Sequence, residues 1–368
     1  MEDLPIVWIV CSLGFILGMA FGATAQRTNF CTMGAISDMV FMGEWNRMRA
    51  WMLAIAVAIA GSQVMHLAGM VDLNKSIYLA ANFGWSGAVI GGLLFGFGMT
   101  MTGGCGNKTL VRLGAGNLKS LLVALVMGVF AYMTVRGLIG LARVELEGAT
   151  NIDLKASAGL GSQGIPDMIA AALGMDGATA RTIVAAAFVV ALLIFCFKSA
   201  EFRESKRDIA GGVILGALVP VAWYVTGVIG FDEFEPTPLA AISFVNPVGE
   251  SIQYLMTFTG ATINFGIAVV GGVIAGAFVA AKASGEFRVE AFNDANDMVR
   301  HIIGAAIMGI GGIMSLGCTI GQGLSGMSTL ALGSLIALVS IIVGGVFGMK
   351  YLEEGNFGDA LKAMFARG

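Results

Sequence analysis

Three of the five cysteines stand in closely similar local sequence. Gly96 to Asn107 reads GFGMTMTGGCGN, and Gly309 to Gly321 reads GIGGIMSLGCTIG. In both, glycines recur up to a Gly-Cys pair, Gly104-Cys105 and Gly317-Cys318. A polar or glycine-rich turn follows, Gly106-Asn107-Lys108-Thr109 in one and Thr319-Ile320-Gly321-Gln322 in the other. Phe30-Cys31-Thr32-Met33-Gly34 is a third version near the start. A single thiol is soft, polarisable and weakly donating. It can offer S–H to a sulfur-containing anion, ligate a soft metal as thiolate, or exchange sulfur through a persulfide. There is no CxxC pair or zinc spacing, and two histidines supply a metal site poorly. Cys11 and Cys196 lie in apolar runs without such turns and read as inert. Met99, Met101, Met314 and Met327 read as packing rather than copper ligands.

These thiols must be held by membrane helices. The chain is 57% hydrophobic and 12% charged over 368 residues, with mean hydropathy +0.84. A soluble domain carries about 25% charge. Glycine reaches 54 residues without a G-x-y period, as helices that pack closely or break would require. The net charge of −3 excludes nucleic acid as a charge-driven partner. The acidic start, Met1-Glu2-Asp3, is unlike a signal peptide. A span needs roughly 20 apolar residues. Nine are predicted, near 6–25, 50–70, 85–104, 118–140, 182–198, 210–229, 261–281, 301–317 and 329–349.

Lysine and arginine set the orientation. With the N-terminus outside, sixteen of the twenty-one fall in cytoplasmic segments, Arg27, Lys108 and Arg112 among them. The stretch from Phe231 to Gly260 has Asp232, Glu233, Glu235 and Glu250 but neither lysine nor arginine, so it is expected outside. The N-terminus is then periplasmic and the C-terminus cytoplasmic. Residues 141–181 read as a long external loop with a short helix around Pro166 to Leu173 and no functional role. His66 and His301 read as interfacial, and the five tryptophans as an aromatic belt.

Aligning Cys105 with Cys318 superposes Gly91 on Gly304, Gly96 on Gly309, Gly98 on Gly311 and Gly104 on Gly317. Gly14 to Gly18 likewise resembles Gly212 to Gly216. The matched spans are five apart, an odd offset, which predicts inverted halves as in many secondary transporters. The expected organisation is one transmembrane domain, with repeat one about 6–140, an extra loop and span at 141–198, and repeat two about 210–349. Half-helices are expected at Cys31 to Val40, Thr109 to Leu113 and Gly323 to Leu332. Broken backbone at membrane depth must face protein or a water-filled cavity. Half-helix N-termini attract anions. No carboxylate is expected in a span core, which argues against proton pumps and divalent-cation channels. No P-loop is present.

The runs GLLFGFGMTMTGGCGNKTLVRLGAGNLKSL, IMGIGGIMSLGCTIGQGLSGMSTLALGSL and QRTNFCTMGAISD resemble the YeeE/YedE family of sulfur transporters, over essentially the whole chain. The resemblance implies an all-α, hourglass-shaped inner-membrane transporter with about nine spans, short half-helices and inverted-repeat character. It implies uptake of thiosulfate along Cys31, Cys105 and Cys318 by S–H hydrogen-bond relay, without a cofactor or enzymatic turnover. Cytoplasmic sulfurtransferases of the TusA or rhodanese type are frequent partners in the family. Gly104, Gly106, Asn107, Lys108, Gly317, Thr319, Gln322 and Arg27 are the further candidate pathway residues. The 141–181 loop is longer than in the shortest members, and some members serve sulfur oxidation or selenium metabolism. A membrane-embedded sulfurtransferase and a sulfite or selenium-compound permease are the alternative readings.

Overall fold

The computed structural model describes residues 5–232 and 237–365, so Glu233 and Glu235 of the acidic stretch lie outside the described residues. Among the described residues the secondary structure is helical apart from one two-residue antiparallel strand pair and two isolated bridges. Helix α1 (Ile6–Thr28) leads to the short α2 (Thr32–Ser37), and then come α3 (Asn46–Leu67), α4 (Gly92–Met101), α5 (Gly106–Gly114) and α6 (Leu118–Arg136). The middle of the chain forms α7 (Leu138–Thr150), α8 (Leu154–Ala158), α9 (Ile165–Leu173), α10 (Gly177–Phe197) and α11 (Ala200–Glu204). The last part forms α12 (Lys206–Tyr224), α13 (Val245–Met256), α14 (Phe265–Ser284), α15 (Ala295–Met314), α16 (Leu332–Glu354) and α17 (Phe357–Phe365). Strands β1 (Asn82–Phe83) and β2 (Ile152–Asp153) pair with each other.

Among the described residues nine helical stretches are long and apolar enough to cross a membrane, in the expected order. Several start on an Asx cap. The side chains of Asn117, Asp176, Asn264 and Asp294 each accept a backbone N–H three residues on, filling a donor the helix cannot satisfy itself. The first stretch runs on to Met42, taking in α2 and a π turn at Asp38–Met42. Asp38 therefore lies within a spanning stretch, against expectation. Its carboxylate is paired with Arg47 at 3.1 Å.

Close backbone approach explains much of the glycine. Helix α1 lies along α14, α3 along α12, and α4 along both α15 and α16, while α6 lies along α15. Between α4 and α15, a β-carbon on Gly98 would sit 2.7 Å from the Gly304 carbonyl, and one on Gly311 would sit 2.6 Å from the Gly91 carbonyl. Without side chains there, the two helices that lead to Cys105 and Cys318 touch through their backbones. Apolar helices in lipid gain little from burial and depend on such packing.

Two predicted features are corrected. Trp8, Trp45 and Trp85 are exposed as a belt requires, but Trp51 and Trp223 are buried at 2% and 1% exposure. Trp223 donates its indole N–H to Ser328 Oγ at 3.0 Å, and Trp51 stacks on Phe30. The 141–181 segment has the short helix expected near Pro166, but α7, α8 and the start of α10 also fall within it, so it is mostly helical rather than a long loop. Residues 162–165 enter the interior, where Ile165 N–H binds the Leu330 carbonyl and Leu332 N–H binds the Gln163 carbonyl. Arg181, 6% exposed, ties Asp167 to Asn74 at 3.2 Å each.

Candidate functional site

Each of the three cysteines is preceded, two residues earlier, by a residue in the left-handed region: Asn29 (φ 53°), Gly103 (φ 69°) and Leu316 (φ 58°). Glycine and asparagine adopt this conformation readily, whereas a leucine is held there at a cost of roughly 1–2 kcal/mol. The incoming helix stops, the cysteine is reached, and a new helix starts directly after it. Cys31 (φ −157°, ψ 125°) caps α2, and Cys105 (φ −79°, ψ 177°) caps α5. After Cys318 a helical segment runs over 319–328, with a π turn at Gly321–Gly326. The half-helix therefore starts four residues before the expected Gly323, and residues 329–331 form the break. Hydroxyls fix two of the turns alike. Thr102 Oγ1 donates towards the carbonyls of Gly98 and Gly104, and Ser315 Oγ towards those of Gly311 and Gly317.

The free ends of these helices meet. Cys105 is fully buried; its Sγ lies 3.3 Å from Asn107 Oδ1 and 4.0 Å from Thr32 Oγ1. It also has as neighbours the Cys31 thiol and the side chain of Thr319, the residue that follows Cys318. The Cys31 and Cys318 sulfurs each accept a backbone N–H at 3.4 Å, from Gly34 and Gly321. All three thiols are free. Among the described residues the buried Asn107 Nδ2 has no hydrogen-bond partner, and the buried Thr319 Oγ1 has none besides its approach to the Cys105 sulfur. Buried polar groups are almost always satisfied, so an open donor beside the Cys105 thiol stands out.

Positive charge gathers at the Cys31 end. Lys108 is 9% exposed and donates to Asn29 Oδ1, and Arg112 donates to the Gly103 carbonyl at 2.8 Å. Both act on Cys31 electrostatically. Among the described residues Lys108 has no carboxylate partner. Arg27 is exposed on the last turn of α1. Gln322 is at the site, but its amide N–H₂ is engaged with the Ser315 carbonyl, so it braces the turn. Gly104 lets Lys108 pass beside it, Gly106 faces Phe244 and Met127, and Gly317 sits against Gln322. Among the described residues no group of three or more His, Cys, Asp or Glu side chains converges as metal ligands would. Cys196 donates to the Arg49 carbonyl at 3.2 Å.

At the Cys318 end a cavity of about 400 Å³ opens, reaching Gly317. Its walls are largely apolar, with Tyr78, Ser243, Arg143 and Glu250 among the polar groups. Glu250 is held by the amides of Asn246 and Asn264 at 2.8 and 2.9 Å. Arg143 forms an ion pair with Glu147 at 2.9 Å. Burial, with the neighbouring Cys318, pushes the Tyr78 phenol well above its ordinary range, so it stays a neutral O–H. Sequence reasoning missed Tyr78, Ser243 and Thr32. Thr32, adjacent to Cys31 in the motif, carried a signal; the other two lie in connections without one.

Residues 27–347 match the model of a family described as sulphur transport. A protein called thiosulfate transporter TsuA, from Escherichia coli (strain K12), is 28% identical over 350 residues, covering 90% of this chain and 91% of the relative. A protein of the same name from Spirochaeta thermophila is 27% identical over 337 residues, 90% of this chain and 96% of the relative. The probable transporter YedE of Escherichia coli (strain K12) is 32% identical over 102 residues, 27% of this chain and 23% of the relative.

Proposed function

Given that the chain belongs to the sulphur transport family, we propose that it carries thiosulfate, or a closely related sulfur oxyanion, inward through the bacterial inner membrane by way of Cys318, Cys105 and Cys31. The observation that carries the reading is the buried Cys105 thiol set against both Cys31 and Thr319, with the unpartnered Asn107 amide N–H₂ close by. An anion moving here loses water and must recover hydrogen bonds. Neutral S–H groups suit the sulfur end of thiosulfate, whereas thiolates would repel a dianion. The amides opening α5 and the 319–328 helix, with Lys108, offset part of the desolvation. Cys31 is read as the cytoplasmic member, with the N-terminus outside as the charge pattern requires.

The packing supports an inverted repeat. Pairing α1 with α12, α3 with α14, α4 with α15 and α6 with α16 turns each main contact into another: α1 on α14 becomes α12 on α3, and α4 on α16 becomes α15 on α6. The Gly91–Gly311 approach becomes Gly304–Gly98. The relay is non-covalent on this reading, so the protein is a carrier and not an enzyme. Cytoplasmic sulfurtransferases are expected takers of the delivered sulfur.

The test is labelled-thiosulfate uptake into proteoliposomes, with sulfite, sulfate and selenite as competitors. Cys105→Ala should abolish uptake at normal protein level; unchanged uptake sinks the cysteine route. Mass spectrometry after incubation with thiosulfate separates the enzyme alternative: a gain of one sulfur on a cysteine would mark a persulfide.

A further inference from the structure

Helix α13 takes in the second half the place α2 takes in the first. Helix α2 packs on α3 and α16, and α13 packs on α14 and α6. The residue capping α2 is Cys31, whereas the one capping α13 is Phe244, fully buried and edge-on to Phe21 at 5.2 Å. The second half thus lacks the extra thiol. A hydroxyl stands one residue earlier. A β-carbon on Gly321 would sit 2.8 Å from Ser243 Oγ and 3.6 Å from Tyr78 Oη. Gly321 N–H is also the donor to Cys318 Sγ. Two O–H groups and one thiol therefore surround one point, and both hydroxyls line the 400 Å³ cavity.

Tyr78 is 5% exposed, and among the described residues neither hydroxyl has a hydrogen-bond partner. Both oxygens keep surface open to the cavity, where they are free to bond what enters it. The two formal charges on the wall, Arg143 and Glu250, are of opposite sign and already engaged. Neutral donors are left to do the recognition.

We infer that Tyr78 and Ser243 form the oxygen-binding half of an entry site whose sulfur-binding half is Cys318. Hard O–H donors take the sulfonate oxygens of thiosulfate while the soft thiol faces its terminal sulfur, so the ion meets the thiols sulfur first. This rests on the transport reading above and adds two specificity residues to it.

The experiment is concentration-dependent uptake of labelled thiosulfate by proteoliposomes of wild type, Tyr78→Phe, Ser243→Ala and Ser243→Thr, with thermal melting alongside. Losing one hydrogen bond to a charged oxygen should raise KM about tenfold. Maximal rate should stay within about twofold of wild type on that scale, and Ser243→Thr should restore KM. Sulfate, which offers oxygens alone, should compete no better in Ser243→Ala than in wild type. An unchanged KM in both variants overturns the inference. So does a fall in maximal rate at constant KM, which places the hydroxyls at a later step. If Tyr78→Phe does not fold, the half-buried Ser243 carries the test alone. Wild-type protein that takes up neither thiosulfate nor sulfite removes the functional reading, and this inference with it. Uptake that persists with unshifted KM removes this inference only.

Discussion

Gly98→Ala tests whether backbone contact between α4 and α15 positions the thiols. The added methyl would lie 2.7 Å from the Gly304 carbonyl, 2.8 Å from Met308 N and 3.1 Å from Met308 Cα. All three are backbone atoms and cannot rotate away. Restoring ordinary contact needs the helices to part by roughly 0.6 Å, and overpacking of this kind costs about 1–3 kcal/mol. Alanine returns about 0.5–1 kcal/mol through its better helix propensity. A net loss of about 0–2.5 kcal/mol, centred near 1, remains by that arithmetic. The displaced helices lead directly to Cys105 and Cys318, so the Cys105–Thr319 contact widens with them. Gly271→Ala on α14 is the control, because its methyl would meet only Phe15 at 3.7 Å. Size-exclusion thermal melting in detergent should show a clear drop for Gly98→Ala and none for Gly271→Ala. Uptake should fall in the first alone. Equal melting and uptake in the two variants would refute backbone contact as the positioning element.

Two further perturbations separate charge from scaffold. Lys108→Met removes a buried cation whose only described partner is Asn29; melting should hold or rise while uptake falls at least about tenfold, since a buried charge without a counter-charge weighs against the fold. Arg181→Gln breaks a tie to Asp167 and Asn74; it should cost about 1–3 kcal/mol and expose residues 141–181 to proteolysis, with the KM for thiosulfate unchanged.

How legible the site was depended on the kind of interaction. The thiols announced themselves because a helix that breaks and restarts leaves a turn-forming residue before the cysteine and small or polar residues after it. A Gly-Cys pair marks Cys105 and Cys318, while Asn29 and the following Thr32-Met33-Gly34 mark Cys31. The spans were legible from apolar length, but the first and third run on to Met42 and Gly114, well past the expected 25 and 104, because the short helices after Cys31 and Cys105 continue them. Helix α13 escaped because it is twelve residues long and carries Asn246, Pro247 and Glu250. The docking of 162–165 escaped because its bonds to Leu330 and Leu332 are backbone to backbone and leave no side-chain signature. Trp51 and Trp223 misled because tryptophan suits a lipid interface and a packed polar interior alike. Tyr78 and Ser243 are single hydroxyls from connections far apart in the chain, with no spacing to join them.

The position of Cys105 has a consequence for how the protein is made. Its neighbours are Cys31, 74 residues earlier in the chain, and Thr319, 214 residues later. The break after α5 is likewise held from a distance, by the pairing of residues 115–118 with 288–290. The break after the 319–328 helix is held by residues 162–165. During synthesis the ribosome must therefore pass Thr319 before the Cys105 thiol can have both companions. A chain stalled at α14 has most of its membrane mass but lacks Cys318 and Thr319. On the proposed reading, assembly order itself then keeps an unfinished polypeptide from offering a finished passage.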